Sequence, residues 1–168
     1  MKTSDLKLLY LSILFFCTSC ATDQIIHGVP NLRQVEPGVW RGGQPNNEGW
    51  IYLKSLGIKR SIKLNTKEEG SDKEAISNGI EVIYLPIDYL HQVILKPNSR
   101  LVDKAVLAIS NDGTYIHCLH GHDRTGLIVG IYQFKIKKWK KDKAESEMIE
   151  YGFHKELYGL WRYWEHLK

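Results

Sequence analysis

Cysteine is scarce in this chain of 168 residues, which has three, at positions 17, 20 and 118. Two of them lie in the N-terminal segment, so the rest of the chain cannot depend on a framework of internal disulfides. Long apolar runs are scarce as well, and the one at Leu8 to Phe16 is too short to span a bilayer as a helix. Internal repeats and low-complexity stretches are absent, which argues against solenoid and fibrous architectures.

What remains is the composition of one ordinary globular domain. Hydrophobic residues make up 43% of the chain and charged residues 25%, and 168 residues allow one core of common size. Neither sign of charge dominates, because 23 lysines and arginines oppose 19 acidic residues and leave a formal charge of +4. This mild positive balance is compatible with an anionic substrate but does not establish one.

The first twenty residues have the pattern of a secretory signal. Two lysines precede the apolar run Leu8 to Phe16, and the small residues Thr18 and Ser19 precede Cys20. A cysteine after two small residues is similar to the bacterial lipoprotein signal, in which that cysteine is lipidated and becomes the new N-terminus. Cys17 departs from that signal, which usually has leucine there, and ordinary cleavage nearby would remove Cys20 or leave it unmodified.

We therefore predict an export segment over residues 1–20, a tether over residues 21–31 and a folded domain over residues 32–168. The protein is then exported to the periplasm or cell envelope, and lipidation of Cys20 would tie it to a membrane without embedding it. The folded domain contains a single cysteine, Cys118. An unpaired cysteine is unusual in an exported protein and suggests a chemical role.

Strand patterns and helix patterns alternate along the predicted domain. The predicted elements are a hairpin over Leu32–Arg41, a helix from Asn46 or Asn47 to Gly57, a strand over Ile58–Leu64, a polar helix over Ser71–Asn78, a strand over Val82–Leu85, a helix capped by Asn98 or Ser99, a strand over Thr114–Cys118, a helix over Arg124–Lys138 and a helical C-terminal third. This alternation predicts an α/β fold, a three-layer sandwich with a central, mainly parallel sheet flanked by helices.

The loop between the last strand and the following helix has the residues of an anion site. Backbone N–H groups of His117–Gly126 converge there with a helix N-terminus, and both favour negative charge. Five residues separate Cys118 from Arg124, so the cysteine can lie at the bottom of the loop and the guanidinium at its rim, where its planar fork can donate to two phosphate oxygens. The same field favours a thiolate, the form of Cys118 that attacks phosphorus.

The pattern His-Cys-x-x-Gly-x-x-Arg-Thr-Gly, present here at His117–Gly126, resembles the signature loop of the protein tyrosine phosphatase superfamily. The sequence is most similar to small atypical dual-specificity phosphatases of bacteria, fungi and plants, and Trp40–Pro45 is similar to a stretch that precedes their first helix. The resemblance covers roughly residues 32–165. It implies the cysteine-based phosphatase fold, a phosphorylated protein or small phosphoester as substrate, no metal or organic cofactor, and no nucleic-acid partner.

The resemblance also implies roles for the loop residues. Cys118 would form a phosphocysteine intermediate, Arg124 would bind phosphate, and the hydroxyl of Thr125 would stabilise the departing thiolate. His117 and Gly126 would support the loop, with the His117 side chain on the opposite face of its strand from Cys118. The remaining residues of the phosphate-binding loop are Leu119, His120, Gly121, His122 and Asp123.

A carboxylic acid from another segment should protonate the leaving oxygen. In the family it is an aspartate about thirty residues before the cysteine, and Asp88 lies 30 residues before Cys118, just after the predicted strand Val82–Leu85. Asp103 lies inside a helical pattern and Asp112 in a turn, so we predict Asp88 as the acid, with a loop carboxylate or helix cap as the alternative. Tyr89, Leu90 and His91 would line the entrance.

Other chemistries fit the residues less well. His117, Cys118, His120 and His122 resemble a metal cluster, but neighbouring residues of a tight loop rarely reach tetrahedral geometry, and Arg124 would have no role. A cysteine protease needs a histidine that faces the thiolate, and no signature surrounds the remaining histidines. A rhodanese-type sulfurtransferase would not need Thr125 or Asp88. The basic run over residues 135–143 is interpreted as the solvated end of a helix, with contact to anionic lipid or nucleic acid as the alternative.

The sequence thus predicts a cysteine-dependent phosphoester hydrolase, a protein tyrosine or dual-specificity phosphatase. Two alternatives stay open: an inositol phosphate or phosphoinositide phosphatase, and an inactive module that recognises phosphate. Inositol pyrophosphate phosphatases of the family typically have more lysine in the loop than Cys118–Arg124 has here, which favours phosphotyrosine by a small margin.

Overall fold

The computed structural model describes residues 24–168, so the predicted export segment and Cys20 lie outside the described residues. The strands are β1 (Ile25–Ile26), β2 (Val29–Pro30), β3 (Arg33–Glu36), β4 (Val39–Gly42), β5 (Arg60–Lys63), β6 (Glu81–Tyr84) and β7 (Thr114–His117). An antiparallel ribbon of β1 and β2 precedes a five-stranded sheet with the order β3-β4-β7-β5-β6. Only β3 is antiparallel to its neighbour in this sheet, and β4, β7, β5 and β6 are parallel. The predicted hairpin and mainly parallel sheet are confirmed.

Helices cover both faces of the sheet. They are α1 (Asn47–Ser55), α2 (Lys73–Ser77), α3 (Tyr89–Val93), α4 (Ser99–Leu107), α5 (Asp123–Ile131), α6 (Lys141–Glu150) and α7 (Tyr158–Glu165). Buried residues of α1 and α2 pack on one face, and those of α4 to α7 pack on the other in a larger cluster. The three-layer α/β fold is therefore confirmed. Among residues 24–168 the structure has no helix with both the length and the hydropathy that a bilayer crossing requires.

Polar caps fix where the helices before and after the site begin. The side chain of Asn46 accepts a hydrogen bond from the N–H of Gly49 at the start of α1, and that of Asn98 accepts from Arg100 and Leu101 at the start of α4. Gly57, with φ of +82°, reverses the chain after α1, a conformation that costs little only for glycine. These are the caps and the stop that the sequence predicted.

Alternation along β7 separates the side chains that the signature loop brings together in sequence. The His117 ring stacks on Tyr115 with centroids 5.3 Å apart and meets Trp50 edge-on at 5.6 Å, on the α1 side of the sheet. Ile116 and Cys118 belong to the larger cluster on the opposite face. The prediction that His117 and Cys118 point to opposite faces is confirmed.

One predicted boundary was wrong. Residues 24–31 are not part of a free tether, because β1 and β2 form a hairpin and Val29 is fully buried against α1. The folded domain therefore begins earlier than residue 32. The helix predicted over residues 124–138 is confirmed to within two residues at each end: it is α-helical to Ile131 and continues as a π-helix over Tyr132–Ile136, before a positive φ at Lys138 ends it.

Candidate active site

The signature loop curls around the sulfur of Cys118, which directly follows β7. Cys118 is 3% exposed, and its Sγ accepts a hydrogen bond of 3.3 Å from the N–H of Gly121. Gly121 has φ of +83°, and a Cβ there would overlap the carbonyl group of Gly42. Only glycine fits that position without moving the loop, and its amide is thereby directed at the sulfur. The arrangement stabilises negative charge on Cys118.

Arg124 lies in the first turn of α5 and is held by a carboxylate that the sequence analysis missed. Its Nη1 and Nη2 atoms each donate to an oxygen of Glu69 at 2.7 Å, and Nη1 also donates to the carbonyl of Ile87 at 3.1 Å. Its buried Nε has no hydrogen-bond partner among residues 24–168. One edge of the guanidinium is therefore fixed by the protein, and the Nε edge remains for an anionic ligand.

Electrostatics agree with this pairing. Burial opposes ionisation of Glu69, but hydrogen bonds from the Arg124 side chain and the Thr66 N–H outweigh it and lower the pKa of Glu69 to about 2. Burial also disfavours the charged form of Arg124, yet Glu69 and Cys118 outweigh it and raise the pKa of Arg124. Both groups are thus charged at neutral pH. The only sequence signal for Glu69 was its position in the loop after β5, the strand beside β7.

A second missed carboxylate, Asp72, lies behind the site on the α1 side of the sheet. Its oxygens accept hydrogen bonds from Lys63 Nζ at 3.1 Å, Gln44 Nε2 at 3.0 Å and His117 Nε2 at 3.0 Å. Burial lowers the pKa of His117, so the imidazole is neutral and donates its Nε2–H, because a carboxylate can only accept. That His117 supports the loop stays a prediction. The hydrogen bond to Asp72, which holds the His117 ring in place, is the contact through which it would do so.

Replacing Asp72 with asparagine should destabilise the fold by about 3 kcal/mol at pH 7, because Lys63 would remain buried without its counter-charge. The free energy of unfolding in urea measures this, with the exposed Asp142→Asn as the control. Burial raises the pKa of Asp72, but His117, Gln44 and Lys63 outweigh it and lower that pKa from 3.8 to about 2. The stabilisation is therefore complete above the unfolded pKa and disappears as pH falls through about 2. If the difference in the free energy of unfolding between wild type and Asp72→Asn does not become smaller from pH 4 to pH 2, this assignment is contradicted.

Asp88 lies beside the site as the N-cap of α3. The preceding residue, Ile87, contacts Arg124 through its carbonyl, and the Asp88 carboxylate accepts from the N–H of His91 at 3.0 Å and meets the His91 ring at 2.8 Å. The His91 N–H and then its side chain lower the pKa of Asp88. Tyr89 and Leu90 are exposed next to it. The structure thus places Asp88 at the border of the site, with its carboxylate directed at α3; its role as the acid stays a prediction.

The other loop residues lie in different surroundings. Asp123 accepts from the backbone N–H of His154 at 2.8 Å, so its carboxylate faces the connection between α6 and α7. The His122 ring lies against Gly152, while His120 is exposed and Leu119 half-buried. Thr125 is fully buried, and its Oγ1 has no partner among residues 24–168, which leaves the hydroxyl for the site. Within those residues, no group of three or more His, Cys, Asp or Glu is arranged to hold a metal ion.

Comparisons with known proteins agree with this geometry. A family model described as the tyrosine phosphatase family matches residues 29–165. Inositol diphosphatase DSP4 of Arabidopsis thaliana is 31% identical over 114 residues, 65% of this chain and 57% of that protein. Dual specificity protein phosphatase TpbA of Pseudomonas aeruginosa is 27% identical over 132 residues, 73% of this chain and 55% of TpbA. The chain spans about half the length of these curated relatives.

A solved structure of TpbA in complex with pTyr has the same fold. It matches with a TM-score of 0.68 at 19% sequence identity and covers 90% of this chain and 93% of that chain. The predicted resemblance is confirmed, since the family match runs from the β1–β2 hairpin through α7 and includes the whole signature loop. The chain belongs to the tyrosine phosphatase family.

Proposed function

We propose that this protein hydrolyses phosphate monoesters through a phosphocysteine intermediate and that phosphotyrosine is its substrate. The observation that carries the proposal is the loop itself: the Gly121 amide points at Cys118 Sγ, and Arg124 stands at the start of α5 with its outer edge fixed by Glu69. A nucleophile, an oxyanion clamp and a helix N-terminus therefore meet at one concave spot.

The reaction follows from these groups. The thiolate of Cys118 attacks phosphorus in line, so that an S–P bond forms while the bond from phosphorus to the ester oxygen breaks. Asp88 gives its proton to that oxygen, and Arg124 holds the phosphoryl oxygens. Water then attacks phosphorus, Asp88 takes its proton, and the S–P bond breaks. Thr125 donates a hydrogen bond to the departing thiolate, and inorganic phosphate leaves.

Phosphotyrosine is favoured by the loop and by one relative. Residues 119–123 contain no lysine or arginine, so the loop itself adds no fixed cation to Arg124 for a substrate with several phosphates. TpbA has been solved in complex with pTyr. The second candidate, inositol pyrophosphate hydrolysis, is supported by relatives named inositol diphosphatases.

A substrate panel distinguishes these proposals. The protein is assayed, with thiol reduced and a metal chelator present, on a phosphotyrosine peptide, the matching phosphoserine peptide and an inositol pyrophosphate. We expect kcat/KM for phosphotyrosine to be at least about tenfold higher than for the others. Faster release of phosphate from the inositol pyrophosphate would make inositol pyrophosphates the proposed substrate class instead. Phosphate binding without any hydrolysis would instead support the recognition module.

The Asp88→Asn variant tests the proposed acid. We expect a loss of about 100-fold in kcat on phosphotyrosine and a smaller loss on p-nitrophenyl phosphate, whose leaving group hardly needs a proton. Because hydrogen bonds from His91 lower the pKa of Asp88, the wild-type rate should fall as pH rises above that lowered value, and the variant should lack this decline. Asp103→Asn is the matched control. Equal losses on both substrates would remove Asp88 from the proton transfer.

We also propose that residues 1–20 direct export and that Cys20 is lipidated, which would place the protein at the cell envelope. The support is the pattern of the sequence: the apolar run Leu8–Phe16 followed by Thr18, Ser19 and Cys20. Labelling of cells with a fatty-acid analogue should mark the protein and should leave Cys20→Ala unmarked. A mature protein that keeps residues 1–19 would contradict this proposal.

A further inference from the structure

The outer side of the signature loop, meaning the side that faces away from Cys118 Sγ, is held by a segment far from it in sequence. The N–H of Gln44 donates to the carbonyl of Leu119 at 2.9 Å, and Asn31 Nδ2 donates to that of His120 at 2.8 Å. Arg41 Nη2 donates to the carbonyl of Gly121 at 2.9 Å and lies 3.4 Å from that of His122. Four consecutive carbonyl groups of the loop are therefore turned outward. We call the three donors the loop cradle.

The cradle determines where the loop amides point. In a trans peptide unit the C=O and the next N–H point in opposite directions. Carbonyls that are turned outward at 119–122 thus direct the N–H groups of residues 120–123 inward, toward the space above Cys118. The hydrogen bond from the Gly121 N–H to Cys118 Sγ is the visible instance of this geometry. Without its donors, the loop would be free to rotate these peptide units.

Arg41 contributes charge as well as geometry. It is 2% exposed on β4, and its guanidinium lies over the ring of Tyr151 with 5.3 Å to the centroid. Among residues 24–168 no carboxylate forms an ion pair with it, although Glu147 and Cys118 act on it electrostatically. Burial lowers the pKa of Arg41 to about 10, so it stays charged at neutral pH. A fixed positive charge therefore lies against the outer side of the loop, where it is shielded from solvent.

We propose that Arg41 is a positioning residue for the reaction: with Asn31 and the Gln44 amide, it keeps the loop amides directed at the phosphoryl group and stabilises the thiolate of Cys118 from behind. This inference rests on the proposed function, because it assigns the cradle to the same site. Arg41 touches neither sulfur nor substrate. It acts through the loop carbonyls and through its charge.

The main variants separate the contributions of Arg41. Arg41→Met removes donors and charge at similar length, and Arg41→Lys keeps the charge but loses the planar fork. Arg33→Met is the matched control, since Arg33 also lies over Tyr151, at 4.8 Å, yet donates to no loop carbonyl among the described residues. Asn31→Gly removes one donor and keeps the positive φ of 50° at that position accessible.

Two measurements do not require turnover: inhibition of Cys118 alkylation by inorganic phosphate, and the pH profile of alkylation by iodoacetamide. We expect Arg41→Met to weaken phosphate protection and to lower kcat/KM by about 30-fold, with the alkylation profile displaced to higher pH. Compared with Arg41→Met, the Arg41→Lys variant should return closer to wild type in its alkylation profile than in its phosphate protection. Asn31→Gly should lose about threefold in phosphate protection, and Arg33→Met should match wild type.

The outcomes are distinguishable. The proposal would be overturned if Arg41→Met folds and keeps wild-type alkylation and phosphate protection. It would also be overturned if both Asn31→Gly and Arg41→Lys behave as wild type. If Arg41→Met does not fold, the last two variants decide the question. A wild type that binds phosphate but hydrolyses no ester would count against the proposed function, while the alkylation and protection measurements would still decide the role of Arg41.

Discussion

Replacing Cys118 with serine is expected to reduce phosphotyrosine hydrolysis by at least about 10,000-fold, because the serine hydroxyl does not ionise near neutral pH and a neutral hydroxyl is a far weaker nucleophile than a thiolate. The loop stabilises an anion on sulfur through the Gly121 amide, which serves a thiolate but does little for a neutral hydroxyl. The rate of phosphate release measures this loss. The expected residual rate is close to that of the assay without enzyme.

The same variant should still fold and bind. Serine is slightly smaller than cysteine, the site is 3% exposed, and a hydroxyl oxygen can accept the hydrogen bond from Gly121. We therefore expect thermal unfolding within a few degrees of wild type and retained binding of a phosphotyrosine peptide by calorimetry. Activity that survives in a folded Cys118→Ser variant would reject the phosphocysteine mechanism as a whole. Loss of both folding and binding would assign Cys118 a structural role instead.

The parts of the site that could be predicted from the sequence are contiguous in the chain. Cys118, Arg124 and Thr125 lie in one loop between a strand and a helix, so spacing alone brings them together. Strand alternation was sufficient to place His117 and Cys118 on opposite faces. The helix cap at Asn46 and the stop at Gly57 were likewise local signals, and the structure has both where the pattern predicted them.

The residues that were missed are those whose partners are distant in sequence. Glu69 pairs with Arg124 across 55 residues, Asp72 with His117 across 45, and Arg41 with the Gly121 carbonyl across 80. Glu69 and Asp72 looked like ordinary surface charges in a polar context, and Arg41 was noted only as part of the stretch Trp40–Pro45, because the burial of these residues depends on which strands become neighbours. Strand order is set by packing of the whole sheet, which local periodicity does not report.

The tether was misjudged for a related reason. Strands β1 and β2 have two residues each, too few for an alternation pattern to be recognised. Ile25, Ile26 and Val29 are apolar, but His27 and Gly28 interrupt them, and so short a pattern does not distinguish a packed hairpin from a linker. In the fold it packs beneath α1, and Asn31 reaches the carbonyl of His120. A segment that sequence patterns assigned to a linker therefore supports the signature loop.

Replacing Arg124 with lysine is expected to reduce kcat/KM by about 1,000-fold, although the charge is conserved. An ammonium group cannot keep two donors on Glu69 and still present a further donor edge to phosphate, as the guanidinium does with Nη1, Nη2 and Nε. The three N–H groups of a lysine diverge from one nitrogen and form no rigid planar edge, and Glu69, with its pKa near 2, is the fixed anion that would hold that nitrogen away from the phosphate. We expect phosphate protection of Cys118 to weaken in parallel.

Two controls show whether the fork or the charge matters at position 124. Arg100→Lys, on the exposed side of α4, should leave kcat/KM within about twofold of wild type, because among residues 24–168 only the backbone N–H of Arg100 is engaged. Glu69→Gln should lose about tenfold, mainly as a higher KM, because it loosens the orientation of Arg124 and keeps the Nε edge. If Arg124→Lys retained more activity than Glu69→Gln, charge alone would suffice, and the geometry that Glu69 imposes on the guanidinium would have no part in binding phosphate.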